Sequence, residues 1–78
     1  MIRYYQEENG DFLAIDTDTN SYYRQVLGQD SFEGRATALA GQVGSVCTIG
    51  ISREYLTENC KRVARARVPA GWQRAIGF

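Results

Sequence analysis

Ile2-Arg3-Tyr4-Tyr5-Gln6-Glu7-Glu8-Asn9-Gly10-Asp11-Phe12-Leu13-Ala14-Ile15-Asp16 is the stretch whose reading decides the fold. Aromatic and β-branched residues crowd both flanks of Asn9-Gly10, the dipeptide that best tolerates positive φ at both centres of a type I′ turn. With that pair as the loop, Glu8 opposes Asp11, Gln6 opposes Leu13, Tyr4 opposes Ile15 and Arg3 opposes Asp16. Ile2, Tyr4, Leu13 and Ile15 then share the face predicted as core. The opposite-charge pair Arg3 with Asp16 agrees with this register.

Beyond the hairpin, Asp16-Thr17-Asp18-Thr19-Asn20-Ser21 reads as a turn. It imitates the start of a calcium loop, but the sixth and twelfth positions, which require Gly and Glu, hold Ser21 and Leu27. Residues 22–27 then form a third strand, placed at an edge because neither face is cleanly apolar. Asp30 with Glu33 resembles a capping box, and Phe32, Ala36, Leu39 and Ala40 fall at helical spacing before Gly41, which predicts a helix over 31–40. Residues 45–51 read as a buried strand. Ser52 caps a second helix with Leu56, Cys60, Val63 and Ala64 on one stripe, broken at Val68-Pro69. A terminal helix over 69–76 carries Trp72 and Ile76.

The expectation is therefore one α+β domain over 1–78, a mostly antiparallel sheet of three to four strands with two or three short helices on one face. Seventy-eight residues sit near the lower limit for a self-sufficient core, and the hydrophobic share of 44% argues against disorder. No apolar run spans a bilayer and no signal-peptide pattern is visible, so a cytoplasmic location is expected.

The chain has no histidine, which removes the commonest general base and metal ligand together. Cys47 and Cys60 cannot close a four-ligand zinc site by themselves; they read as buried thiols, with a strand-to-helix disulfide as the alternative. Neither Cys-His nor Ser-His-Asp can be assembled, and Lys61 is the sole lysine. Asp16 or Asp18 could serve acid–base work, yet so short a chain leaves little room for a water-excluding cleft. The glycines match neither a Walker loop nor a dinucleotide fingerprint. No enzymatic activity, metal or cofactor is expected.

Nine bases balance nine acids, but not evenly along the chain. Residues 1–39 hold three bases and seven acids, a net −4, whereas residues 40–78 hold six bases and two acids, a net +4. Such asymmetry marks interaction surfaces. The acidic pole offers Tyr5, Glu7, Glu8, Asp11, Asp16, Asp18 and Tyr22 as candidate partner-binding residues, tyrosine being a residue that anchors interfaces. The basic pole offers Lys61, Arg62, Arg65 and Arg67, of which the first three would lie within one helical turn. Cations at a helix C-terminus need no ligand to explain them; the functional alternative is a phosphate-contacting patch, but the zero net charge and a sequence pI near 6.2 argue against nucleic acid as the main ligand.

Residues 1–23 (MIRYYQEENGDFLAIDTDTNSYY) and 44–72 (GSVCTIGISREYLTENCKRVARARVPAGW), in a compact chain without net charge, resemble in format the small inhibitors carried by phages and prophages, the anti-CRISPR proteins among them. That resemblance is one of type and transfers no individual residue. It implies a stoichiometric, monomeric protein-binding inhibitor that docks on a CRISPR effector complex and blocks target DNA. The acidic residues would compete electrostatically for a basic groove. A small nucleic-acid-binding protein using Lys61–Arg67 and a phage structural or accessory protein are the alternatives.

Overall fold

The computed structural model describes residues 1–26, 37–44 and 51–78. Strands β1 (Ile2–Glu7), β2 (Phe12–Asp16), β3 (Ser21–Val26) and β4 (Thr37–Gln42) precede helix α1 (Arg53–Asn59), strand β5 (Cys60–Val63), a 3-10 turn (Arg65–Arg67) and helix α2 (Ala70–Ile76). The five strands form one antiparallel sheet in the order β4-β3-β2-β1-β5. The α+β class is as expected, with five strands among the described residues instead of three or four.

The hairpin forms at the expected place but in a different register. Tyr4 opposes Ala14, Tyr5 opposes Leu13 and Arg3 opposes Ile15. The cause lies in the turn. The Gly10 amide donates to the Glu7 carbonyl at 3.0 Å, and the Glu7 amide donates to the Asp11 carbonyl at 2.8 Å. Only Gly10, at φ 94°, takes the left-handed conformation there. Glu8-Asn9-Gly10 is thus a three-residue loop, a β-turn followed by a left-handed glycine, and not a two-residue type I′ loop. Asn9 is held by its side chain, which accepts from the Asp11 amide (3.0 Å) and donates to the Asp11 carboxylate (3.1 Å).

A slip of one residue turns half of the pairing to the other face. Leu13 and Ile15 therefore join Tyr22, Val43 and Ile51 on one face, under Tyr55 and Leu56 of α1. Tyr4 and Ala14 join Val68 and Trp72 on the other, with Ile76 of α2. The predicted common face of Ile2, Tyr4, Leu13 and Ile15 is corrected, and so is the placement of the helices on a single face. The sheet is the middle layer of three, with each helix covering one side.

Three further expectations change. Residues 37–40, predicted as the end of a helix, belong to β4, paired with β3 from Val26↔Thr37 to Ser21↔Gln42; positions 31–36 of that helix lie outside the described residues. β3 is consequently an interior strand and not an edge. Gly41, read as a helix stop, makes room for a ring instead: a Cβ there would lie 2.6 Å from Tyr22. The strand predicted over 45–51 lies outside the described residues except for Ile51, which forms a parallel bridge with Val43.

Ser52 caps α1 as expected, its Oγ accepting from the Tyr55 amide at 3.0 Å. The helix stops at Asn59, however, and Cys60 turns extended (φ −118°, ψ 152°). β5 then lies along β1 from Glu7↔Cys60 to Tyr4↔Val63, supplying ladder partners that the outer edge of β1 would otherwise lack. The terminal helix matches expectation. Gly77 (φ 83°) ends it in the left-handed conformation, and Phe78 packs edge-on against Tyr23 with ring centroids 4.9 Å apart.

We expect Gly41→Ala to lower unfolding free energy by about 1–3 kcal/mol, because the new methyl must displace the Tyr22 ring from a packed layer. Urea denaturation measures this. Unchanged stability would mean that Tyr22 does not rest on Gly41.

Candidate functional site

Alternation along β1 and β3 aims Glu7 and Arg24 at the same face, beneath α1. There the Arg24 Nε donates to Glu7 Oε2 at 3.0 Å, its Nη2 donates to Oε1, and the Tyr55 hydroxyl also donates to Oε1. The Glu7 side chain is 2% exposed and that of Arg24 37%, so the arginine bridges interior and water. Burial pushes the Glu7 carboxyl up, but hydrogen bonds from Arg24 and Tyr55 and the Arg24 charge outweigh it and hold the pKa below the ordinary value. The same hydrogen bond to Glu7, seconded by burial, pushes the Tyr55 phenol up to about 12. Burial first, then the Glu7 charge, raises the Cys60 thiol to about 11. At neutral pH Cys60 is a free, protonated thiol and a weak nucleophile.

The acidic and tyrosine residues singled out from sequence do not share one surface. Glu7, Asp11 and Tyr22 are buried at 5%, 6% and 5% exposure, which corrects their reading as part of a partner-binding surface. Asp11 is turned inward by the Asn9 bonds of the loop. Tyr5 is half-buried against the α1-side core. Asp16 accepts from the Asp18 amide at 3.0 Å, chiefly by which its pKa is lowered. The terminal ammonium sits 2.7 Å from Asp18 and 3.9 Å from Asp16. Of the five carboxylates proposed, Glu8 alone is exposed and without an ion pair among the described residues. Two acids that sequence reading passed over, Glu54 and Glu58, stand four apart on α1 and exposed, and Glu58 shares a shallow cleft with Glu8. Their i, i+4 spacing was the available signal.

The basic residues also leave their expected arrangement. Lys61 and Arg62 lie on β5, pointing to opposite faces, while Arg65 and Arg67 belong to the 3-10 turn. The single helical turn of cations is corrected: β1 claims 60–63 as a strand partner. All four are exposed, and none forms an ion pair with a described carboxylate. Buried Gln73 fixes the turn. Its Nε2 donates to the carbonyls of Val68 (3.1 Å) and Arg65 (3.3 Å), and its Oε1 accepts from the Arg65 Nε at 2.9 Å. Where β5 ends short of the start of β1, a concavity of about 710 Å³ opens. Arg3, Arg62 and Arg65 line it together with Ile2, Tyr4, Val63 and Phe78. Arg3 and Phe78, absent from the sequence-based candidates, become neighbours only through the β1–β5 pairing and the docking of α2.

Among the described residues no group of three or more His, Cys, Asp or Glu is placed to hold a metal ion, and no helix is long and apolar enough to cross a membrane. No family model, curated protein or solved structure matches the chain.

We expect Glu7→Gln to destabilise the fold by about 2–3 kcal/mol, less than for a fully buried pair because Arg24 keeps contact with water. The pH dependence has two flanks. Glu7, with its folded pKa depressed, contributes stability above its ordinary value near 4.5 and loses it as pH falls through the folded pKa. Tyr55, with its folded pKa raised to about 12, contributes below its ordinary value of 10 and loses that as pH climbs from 10 toward 12. Chemical denaturation of the wild type, Glu7→Gln and Tyr55→Phe across pH resolves both. Identical acid limbs for wild type and Glu7→Gln would refute the assignment.

Proposed function

We propose that the chain is a non-enzymatic nucleic-acid-binding module that receives a single strand at the open end of β5. One observation carries this. Arg62 and Arg65, exposed and without carboxylate partners among the described residues, line with Arg3 a concavity bordered by the half-buried Phe78 ring. Forked cations along a backbone path with an aromatic platform beside them are what single-stranded ligands require, because phosphates need charge and bases need a π-face. Arg67 and Lys61 extend the charge on either side.

Formal neutrality does not oppose this reading. Net charge averages over groups that are already engaged, and the acids neutralised by Arg24 and by the terminal ammonium do not face a ligand. The protein would occupy a strand and exclude other proteins from it, without chemistry of its own.

A second reading follows from Glu8, Glu54 and Glu58. Glu8 and Glu58 share a cleft and Glu54 is exposed in the first turn of α1, which suits the electrostatic competitor implied by the resemblance to phage-encoded inhibitors of CRISPR effectors, with a basic groove as its target. It stands second because three of the seven residues first proposed for that surface are interior.

Fluorescence anisotropy with labelled oligo-dT and oligo-U at low salt separates the two. The first reading expects saturable binding, weakened at least about tenfold in the Arg62→Ala, Arg65→Ala, Arg67→Ala triple variant and not weakened by Glu54→Lys with Glu58→Lys. Absence of binding to any single strand would overturn it. Inhibition of an effector complex abolished by Glu8, Glu54 and Glu58 reversal would then establish the second.

A further inference from the structure

On the opposite, α1-covered face of the sheet, a smaller cavity of about 360 Å³ lies between the helix and the β2–β3 turn. Ile15, Val43 and Leu56 form an apolar floor, with Tyr5 beside them. Two arginines, Arg3 and Arg53, line the same cavity, and no described carboxylate pairs with either. Alternation places the Arg3 side chain on this face, next to Tyr5 and across from Ile15.

Arg3 carries the observation that points to a ligand. Its Nε is closed off from solvent and has no hydrogen-bond partner among the described residues. A guanidinium N–H removed from water without an acceptor is costly, of the order of 1–3 kcal/mol, and an oxyanion met by a small turn of the Arg3 side chain toward the cavity would relieve that cost. The polar groups lining the cavity have their donors engaged elsewhere. The Thr17 hydroxyl donates to the Met1 carbonyl at 3.0 Å, the Asn20 amide donates to the Val43 carbonyl at 2.6 Å, and the Thr57 hydroxyl donates to the Arg53 carbonyl at 3.1 Å. Arg53 is oriented toward the same corner, since its Nε would lie 3.5 Å from a Cβ built on Gly44, and the Asn20 amide nitrogen 4.0 Å from it.

We infer that this cavity is a binding site for a small organic phosphate, its phosphoryl group between Arg3 and Arg53 and its apolar body on Ile15, Val43 and Leu56. Two unopposed guanidinium charges match a phosphoryl dianion better than a single carboxylate. The volume lies within the range of small-molecule sites, and an apolar floor with few convergent polar groups is their usual composition. The site is separate from the concavity at the end of β5. Arg3, at the sheet edge, borders both, while Arg53 belongs to this one alone.

Phenyl phosphate, inorganic phosphate and benzoate titrated into the 15N-labelled protein test the assignment. Phenyl phosphate is expected to shift the Thr17, Asn20, Val43 and Leu56 amides saturably, binding at least about fivefold more tightly than either of the other probes. Arg53→Gln, an exposed position whose replacement leaves the core intact, is expected to weaken it about tenfold, and Arg3→Gln at least as much. The Arg62→Ala, Arg65→Ala, Arg67→Ala triple variant should bind it as the wild type does, which keeps this site distinguishable from the strand-binding surface. Benzoate binding as well as phenyl phosphate, equal weakening by Arg53→Gln and by the triple variant, or no saturable shift would each overturn the inference.

Discussion

A carboxylate that is almost entirely out of water is the constraint on which the rest of this molecule depends. Glu7 cannot remain ionised in the layer between sheet and helix unless charge and hydrogen bonds come to it, and they come from two other elements, Arg24 of β3 and Tyr55 of α1. Its position therefore ties the edge of the hairpin to the interior strand and to the helix. Cys60 lies opposite Glu7 in the β1–β5 ladder, so the residue that anchors α1 also stands where the chain leaves the helix for the sheet. From there β5 runs to Val63 and stops, opening the concavity with its arginines.

The same interaction changes the meaning of the charge balance. Read along the chain, an acidic first half precedes a basic second half. Folded, the acidic half is largely occupied: Glu7 by Arg24 and Tyr55, Asp11 by the turn, Asp16 and Asp18 by the terminal ammonium. The bases of the second half meet no described carboxylate. A protein with no formal net charge thus presents cations at the end of β5, and at close range a ligand senses those cations more than the total.

Much of the architecture was legible in the residues. Asn9-Gly10 announced the hairpin, Ser52 the start of α1, and Pro69 with Trp72 the terminal helix. Register was not legible, because a two-residue and a three-residue loop use the same Asn-Gly and differ only in which residue takes positive φ. The helical spacing of Leu39 and Ala40 lost to the unpaired edge of β3, where a small-residue strand could pair along its whole length and Gly41 could accept the Tyr22 ring. Residues 60–63 likewise followed the edge of β1 over their helical pattern. Of the site, Lys61, Arg62, Arg65 and Arg67 were visible as a run of charge. Arg3 and Phe78 were not, since tertiary pairing alone brings the two ends of the chain together.

The claim that uncompensated arginines at the end of β5 form the ligand-facing surface is tested most directly by the salt dependence of single-strand affinity. Engagement of three to four phosphates by Arg3, Arg62, Arg65 and Arg67 predicts a log–log slope of about −2 to −3 against monovalent salt, from about −0.7 per phosphate neutralised. Removing Arg62 and Arg65 should make that slope shallower by about 1.4. A slope near zero, or one unchanged when those two arginines are removed, would contradict the account.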